Sequence, residues 1–354
     1  MIIKKVLFVF LCLFCYGVWF VQKDTHLFED KTLAFSASSY YYSAKVKENK
    51  ICFPVSDVVK KPYCADIVYK TNQELKLKSK YGVQNYVWNK RLHVYTLIQD
   101  SRVADKTPKK IAVLYISTGK YIVFWEKFYQ EMEKYFLPNH QVTYFLITDH
   151  MDLKVPDNVR KVYQQQLPWP YITLKRYHFF MGIEDQLKEF DYVFFLNGTL
   201  LPKQKIDEEI LPTEEQGIMV ALHPGYYLGK PAHFPYERKR KSQAYLSKNE
   251  GQYYVAGGLN GGTSKAFLKL SKDIMEMTDK DLQNNIIPVW HDESMLNKYL
   301  VEYMKNGKQP LILMPEYLIP EVGYPRLNPF RPYTKFLILE KNIRGGKSYF
   351  RQND

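Results

Sequence analysis

The run Asp191-Tyr192-Val193-Phe194-Phe195-Leu196 is almost wholly apolar and gives way at once to Asn197-Gly198-Thr199. Uninterrupted apolar residues over this length mark a strand buried on both faces, and the abrupt polar stop puts its end beside a loop. Ile111 to Ser117 and Val142 to Thr148 share the pattern, and Val159 to Gln165, more polar, reads as a further strand. Between these runs, Tyr121 to Phe136 carries Phe124, Phe128, Met132 and Phe136 at helical spacing, and Thr173 to Glu189 reads as a second helix. Strand and helix alternate, which predicts an α/β fold with a mostly parallel, Rossmann-like sheet covered on both faces. Ligands of such sheets bind just beyond the carboxyl ends of the strands. Asn197-Gly198-Thr199 stands at such an end, and it is also an N-glycosylation acceptor triplet.

The pattern changes in the second half, which is denser in turns. Tyr253-Tyr254-Val255-Ala256-Gly257-Gly258-Leu259-Asn260-Gly261-Gly262 fits neither a phosphate-binding loop nor a dinucleotide fingerprint. It reads as a tight hairpin or as a wall of small residues that admits a bulky group close to the backbone. Asp292-Glu293-Ser294 opens an amphipathic helix, with Met295, Leu296, Tyr299 and Leu300 on one face. Both acids fall in its first turn, where the helix dipole favours negative charge.

Towards the amino terminus, Val6 to Val21 carries no charge and is bracketed by Lys4-Lys5 and Lys23. As a helix it rises about 24 Å, a little short of a hydrocarbon core of about 30 Å. No small-residue cleavage site follows it closely, so an uncleaved signal anchor is expected over 1–21, with the amino end cytosolic. Residues 22–107 show no lasting periodicity and read as a stem. Thr107-Pro108 then marks the start of a folded domain over 108–354. Cys52 and Cys64 have no zinc-site spacing. In an oxidising lumen they would close a loop worth about 3 kcal/mol.

Composition adds two leanings. Aromatic residues make up 16% of the chain, which suits the stacking of sugars. The formal net charge is +13, yet Lys and Arg are dispersed, the densest run being Glu237-Arg238-Lys239-Arg240-Lys241. That diffuse field fits anionic sugar nucleotides or acidic membrane surfaces better than nucleic acid. The eight His show no metal-ligand spacing. Trp290-His291-Asp292-Glu293 groups a stacking ring with two carboxylates, which suits either a sugar site or a capped helix over a core Trp.

These landmarks occur in a fixed order: Tyr115-Ile116-Ser117-Thr118-Gly119-Lys120-Tyr121, Leu222-His223-Pro224-Gly225, Tyr236-Glu237-Arg238, the glycine-rich run, Trp290-His291-Asp292-Glu293-Ser294 and Pro315-Glu316-Tyr317. Together they resemble the family 6 retaining glycosyltransferases, which include the ABO blood-group transferases, the α-1,3-galactosyltransferases and bacterial relatives. The resemblance implies a GT-A fold and transfer of galactose or N-acetylgalactosamine from a UDP-sugar to O3 of an acceptor galactose. By the same resemblance Glu293 is the catalytic carboxylate and Asp292 holds the donor sugar. Arg176, Lys341 and Lys347 face the diphosphate; Ile116, Thr118 and Tyr121 match the uridine pocket. His223, Trp290 and His291 match acceptor contacts, and Ala256-Gly257-Gly258 matches the tripeptide that selects the donor. Gly258 leaves volume beside the sugar's C2, so UDP-N-acetylgalactosamine is expected ahead of UDP-galactose.

One departure falls at the opening strand. Animal members carry Asp-x-Asp there and hold Mn²⁺; this chain has Asn197-Gly198-Thr199, with no anionic oxygen, and resembles bacterial members that work without metal. No cofactor is expected, Mn²⁺ being the alternative, and Asn197 and Thr199 are expected to face the donor. Pro235 and Pro320-Glu321 also depart from the family, leaving a fucosylated galactose as the leading acceptor. The anchor suits a Golgi-type lumenal enzyme, whereas the asparagine motif suits a bacterial one. A catalytically inactive sugar-binding homologue is the competing reading.

Overall fold

The computed structural model describes residues 107–227, 229–328 and 330–341, together with backbone strands between positions 32 and 98. The expected anchor (residues 6–21) and Lys347 lie outside the described residues. Among the described residues no helix is long and apolar enough to cross a membrane. Contacts divide the chain into two units, Met1–Asp105 and Lys106–Asp354.

The first unit contains seven strands: β1 (Thr32–Ala37), β2 (Tyr40–Lys47), β3 (Lys50–Phe53), β4 (Tyr63–Lys70), β5 (Glu74–Ser79), β6 (Gly82–Asn89) and β7 (Val94–Ile98). Successive strands pair antiparallel, and β1 closes on β7 in parallel to complete a barrel. The segment read as a stem therefore carries regular structure. Its short strands, rich in Lys and Tyr, gave only the β7 fragment a recognisable pattern. Cys52 and Cys64 are register partners on β3 and β4.

The second unit is built on a seven-stranded sheet. Its members are β8 (Lys110–Ile116), β9 (Gln141–Thr148), β10 (Val159–Tyr163), β11 (Tyr192–Leu196), β13 (Ile218–Leu222), β14 (Val255–Thr263) and β15 (Leu311–Leu313). The order is β10-β9-β8-β11-β14-β13-β15. Only β14 runs against the rest. Val193 to Leu196 are at most 1% exposed and Ile111 to Tyr115 are fully buried, as continuous apolar strands in a doubly covered sheet should be. A small sheet of β12 (Leu200–Pro202), β16 (Ile319–Pro320) and β17 (Phe336–Ile338) lies beyond the end of β11. This mixed α/β architecture fits the expected GT-A-like fold.

Two helical expectations change. Over 121–136, a 3-10 turn (Gly119–Phe124) precedes α1 (Trp125–Tyr135), which buries Trp125, Phe128 and Met132. The single helix expected over 173–189 is three short ones: α2 (Tyr171–Leu174), α3 (Arg176–Met181) and α4 (Glu184–Leu187). The backbone leaves helical geometry at Lys175 (φ −93°, ψ 12°) and Ile183 (φ −122°, ψ 23°). These breaks let Arg176, Tyr177 and Phe180 share one buried face, so tertiary packing overrides local propensity. Two longer helices follow, α5 (Ser264–Gln283) and α6 (His291–Lys305).

The glycine-rich run is not a hairpin but the nine-residue strand β14, between β11 and β13. Its glycines permit close approach. A Cβ on Gly261 would stand 2.2 Å from the Phe194 ring, and one on Gly262 would stand 2.5 Å from the Gly217 carbonyl oxygen. Much of the aromatic content is core: Tyr115 stacks on Phe128 at 4.1 Å, and Tyr115, Tyr144 and Tyr177 are fully buried. Gly261→Ala forces the Phe194 ring and the Val193 carbonyl aside, and is expected to cost about 1–3 kcal/mol, read as a lowered thermal unfolding midpoint.

Candidate active site

The parallel strands β8, β9, β10 and β11 all end on one edge, where the segments after β8, β10 and β11 border a cavity of about 130 Å³. Ile116, Thr118, Tyr121, Arg176, Asn197 and Lys341 line it, drawn together from positions up to 225 residues apart. Lys341 donates to the Tyr121 hydroxyl at 2.7 Å and lies 4.8 Å above its ring. A cation beside Arg176 thus borders a cavity otherwise lined by neutral groups. Thr199 lies deeper: it is 2% exposed, and its carbonyl accepts from Leu339 N at 2.9 Å.

Arg176 joins this cavity to the carboxylates. Its Nη1 donates to the Gly257 carbonyl (2.9 Å) and to Asp292 Oδ2 (2.7 Å), while the guanidinium lies 4.2 Å above the Phe195 ring. Both partners of the pair are buried, so each depends on the other against a large desolvation cost. Burial pushes Asp292 up to about 7; Arg176 opposes this and neighbouring Glu293 reinforces it.

Glu293 is held at both oxygens. Oε1 accepts from the Tyr254 hydroxyl at 2.6 Å and Oε2 from Gly257 N at 2.8 Å. Burial still raises its pKa, outweighing these bonds and the Arg176 charge. Both acids sit in the first turn of α6, which starts from His291 at a left-handed φ of 53°; the Trp290 N–H before it donates to Ser294 Oγ (3.0 Å). One turn on, Asn297 Oδ1 accepts from Val255 N, and its Nδ2 donates to the Val255 and Glu293 carbonyls, all within 2.8–2.9 Å. That side chain fixes α6 against β14.

Gly257 faces the acids, since a Cβ there would lie 3.1 Å from Asp292 Oδ2 and from Glu293 Cβ. Gly258 faces Asn197 instead, with Cβ–Cβ 3.3 Å, and Ala256 packs into the core. On the other side of Glu293, the Tyr254 ring meets His223 at 5.7 Å. The His223 Nδ1 accepts from Gly225 N at 3.0 Å. Trp290 is 48% exposed, and the His291 ring meets Trp169 edge-on at 5.0 Å. Contacts thus link Arg176, Gly257, Asp292, Glu293 and, through Tyr254, His223, while Ile116, Thr118, Tyr121, Asn197 and Lys341 share the cavity with Arg176; Thr199 and Ala256 are buried away from it, and Lys347 lies outside the described residues.

Trp169, Gln166, Tyr254 and Asn297 were not assigned roles from sequence. Trp169 and Gln166 line the cavity, in a loop after β10 whose Pro168-Trp169-Pro170 was the available signal. Tyr254 lies inside the glycine-rich run and Asn297 on the helix opened by Asp292-Glu293, but only the fold shows their partners. Among the described residues no group of three or more His, Cys, Asp or Glu gathers in a metal-binding arrangement. Asn197-Gly198-Thr199 offers neutral oxygens alone, a poor fit for a hard divalent cation.

A model of glycosyltransferase family 6 matches residues 86–327. The chain belongs to glycosyltransferase family 6. It is 32% identical over 213 residues to the O-antigen biosynthesis glycosyltransferase WbnI of Escherichia coli, covering 60% of this chain and 88% of that protein. It is 29% identical over 257 residues to histo-blood group ABO system transferase 1 of Rattus norvegicus, covering 68% and 69%. It is also 28% identical over 220 residues to globoside alpha-1,3-N-acetylgalactosaminyltransferase 1 of Mus musculus, covering 59% and 60%. This family 6 protein is thus a hexosyltransferase acting on a nucleotide-sugar donor and a glycan acceptor.

Two outcomes follow from the geometry. Tyr254→Phe removes a hydrogen bond to the Glu293 carboxylate worth about 1.5–3 kcal/mol, so transfer should fall roughly 10- to 100-fold while the fold is kept. Asp292 is ionised, and so paired with Arg176, only above its pKa of about 7. The pH–rate profile should therefore fall as pH drops through about 7, and a flat profile down to pH 5 would contradict this assignment.

Proposed function

We propose that the chain is a retaining α-1,3-glycosyltransferase that moves N-acetylgalactosamine, or galactose, from a UDP-sugar to O3 of an acceptor galactose, without a metal. The observation that carries the reading is the Glu293 carboxylate, held at both oxygens between the Arg176 side, where the cavity lies, and the Tyr254–His223 side. The uridine would occupy the cavity lined by Ile116, Thr118 and Tyr121, with the diphosphate towards Arg176 and Lys341. Those two cations stabilise the charge that develops on the leaving UDP. Asp292 holds the hydroxyls of the donor sugar.

The bond from the anomeric carbon to the diphosphate oxygen breaks, acceptor O3 takes its place on the same face, and the O3 proton leaves with the released diphosphate. Glu293 serves either as nucleophile or as the counter-charge to an oxocarbenium-like ion pair; carboxylate nucleophiles in glycosidases show the first route is chemically sound. Neutral oxygens at Asn197-Gly198-Thr199 support metal-free chemistry, and no step is assigned to Mn²⁺. The donor preference for N-acetylgalactosamine rests on the absence of a side chain at Gly258. Space there is bounded by Asn197, whose Cβ would stand 3.3 Å from a Cβ at 258. His223, Trp290 and His291 receive the acceptor, for which a fucosylated galactose is the first choice. Attachment to a membrane through residues 6–21, in a Golgi-type lumen or on a bacterial membrane, completes the proposal.

The test is a donor–acceptor screen of the purified protein with and without EDTA. Transfer from UDP-N-acetylgalactosamine that is unchanged by EDTA is expected. Loss with EDTA and return with Mn²⁺ would refute the metal-free part alone. Glu293→Gln should lower transfer by at least about a thousandfold, the scale of a lost transition-state charge partner. Undiminished transfer in that variant would leave the carboxylate without a catalytic role, whereas sugar binding without transfer by the parent would favour the inactive homologue.

A further inference from the structure

The densest basic run lies beside the residue preceding Trp290, on a segment held by two buried carboxylates, Glu237 and Asp281, and by the half-buried Arg238. Glu237 is 2% exposed; its Oε1 accepts from Lys239 N and its Oε2 from Val289 N, each at 2.7 Å. A single carboxylate therefore separates the backbone of the basic run from the residue preceding Trp290. Arg238 turns inward and donates to the carbonyls of Leu246, Ser247, Pro231 and Phe234. Asp281, 1% exposed, accepts from Ser242 Oγ (2.5 Å) and Gln243 N (2.7 Å), fastening the far end to α5.

Between these anchors, Lys239, Arg240 and Lys241 are all exposed, in a turn closed by Ser242 N donating to the Lys239 carbonyl at 3.0 Å. Among the described residues none of the three side chains enters an ion pair. The acids of the segment are spent inside it: Glu237 and Asp281 satisfy backbone and hydroxyl donors and do not neutralise the triplet. Three exposed cations without ion pairs therefore stand on a backbone that one carboxylate joins to the segment preceding Trp290.

We propose that Lys239, Arg240 and Lys241 form a subsite for a phosphate group borne by the acceptor glycan close to the sugar that is glycosylated. This rests on the acceptor lying at Trp290 and His223. A guanidinium fork flanked by two ammonium groups suits a phosphate monoester, which presents three oxygens and nearly two negative charges.

The experiment compares, with the full-length protein, a neutral galactoside and the same galactoside carrying a phosphate on its aglycone. The parent should show a kcat/KM about tenfold higher for the phosphorylated compound, through KM, and the preference should fade with rising salt. In K239S/R240S/K241S the ratio of the two kcat/KM values should drop to about one, and Arg240→Glu alone should invert it. Equal kcat/KM values in the parent, or a preference that survives in the triple variant, would overturn the subsite. Stimulation of neutral-galactoside transfer by phosphatidylglycerol vesicles, with no discrimination between the soluble compounds, would assign the triplet to a membrane surface and overturn it too. Failure of the parent to glycosylate either compound, or any galactoside, would remove the proposed acceptor class, a result separable from loss of the ratio alone.

Discussion

The buried contact between Arg176 and Asp292 is the constraint on which the site depends. One guanidinium nitrogen binds both the Asp292 carboxylate and the Gly257 carbonyl, so a single side chain ties α3, β14 and α6 together. Arg176 is 7% exposed and Asp292 is 4% exposed. At that depth neither charge is stable alone, and removing one partner typically costs 3–5 kcal/mol because the other is left uncompensated. The pair therefore holds the first turn of α6 in register with the glycine strand, and Glu293 is placed as a consequence.

That placement explains the glycines. Gly257 cannot carry a side chain without pressing on both acids, while its N–H and C=O serve Glu293 and Arg176 respectively. The strand presents bare backbone as a ligand to the site on one side, and on the other it accepts the Phe194 ring above Gly261. A strand this poor in side chains is weak by itself. It is stabilised by its position between β11 and β13 and by the Asn297 clamp.

The electrostatics follow the same economy. Two carboxylates stand in one helical turn with a single buried arginine between them and the cavity, and burial raises the pKa of both. Further positive charge reaches the cavity from Lys341, whose contact with Tyr121 brings the carboxyl-terminal end of the described chain to the loop after β8. Family 6 membership fixes glycosyl transfer as the activity. Arg176 and Lys341 share one cavity with the neutral Asn197.

How much of this was legible in the sequence depends on the range of the forces involved. Continuous apolar runs located β8, β9 and β11 to within a residue or two, because strands buried on both faces leave no choice of polarity. The ordered motifs brought Glu293, Asp292, Arg176 and the cavity residues onto one surface. Local pattern failed where distant groups intervene. The helix over 173–189 broke because Arg176 and Tyr177 must face the core, and the glycine run became a central strand because neighbouring strands require close approach. The barrel strands over 32–98 escaped notice, being short and mixed in polarity. Sequence alone determined the fold class, the family and the identity of the chemical groups, since those are set by residue type and spacing. Only the tertiary structure decided that Tyr254 and Gly257 hold Glu293, that Gly258 faces Asn197, and that one carboxylate joins the basic triplet to Val289. Each of these is a hydrogen bond or contact between residues dozens of positions apart, which no local pattern records.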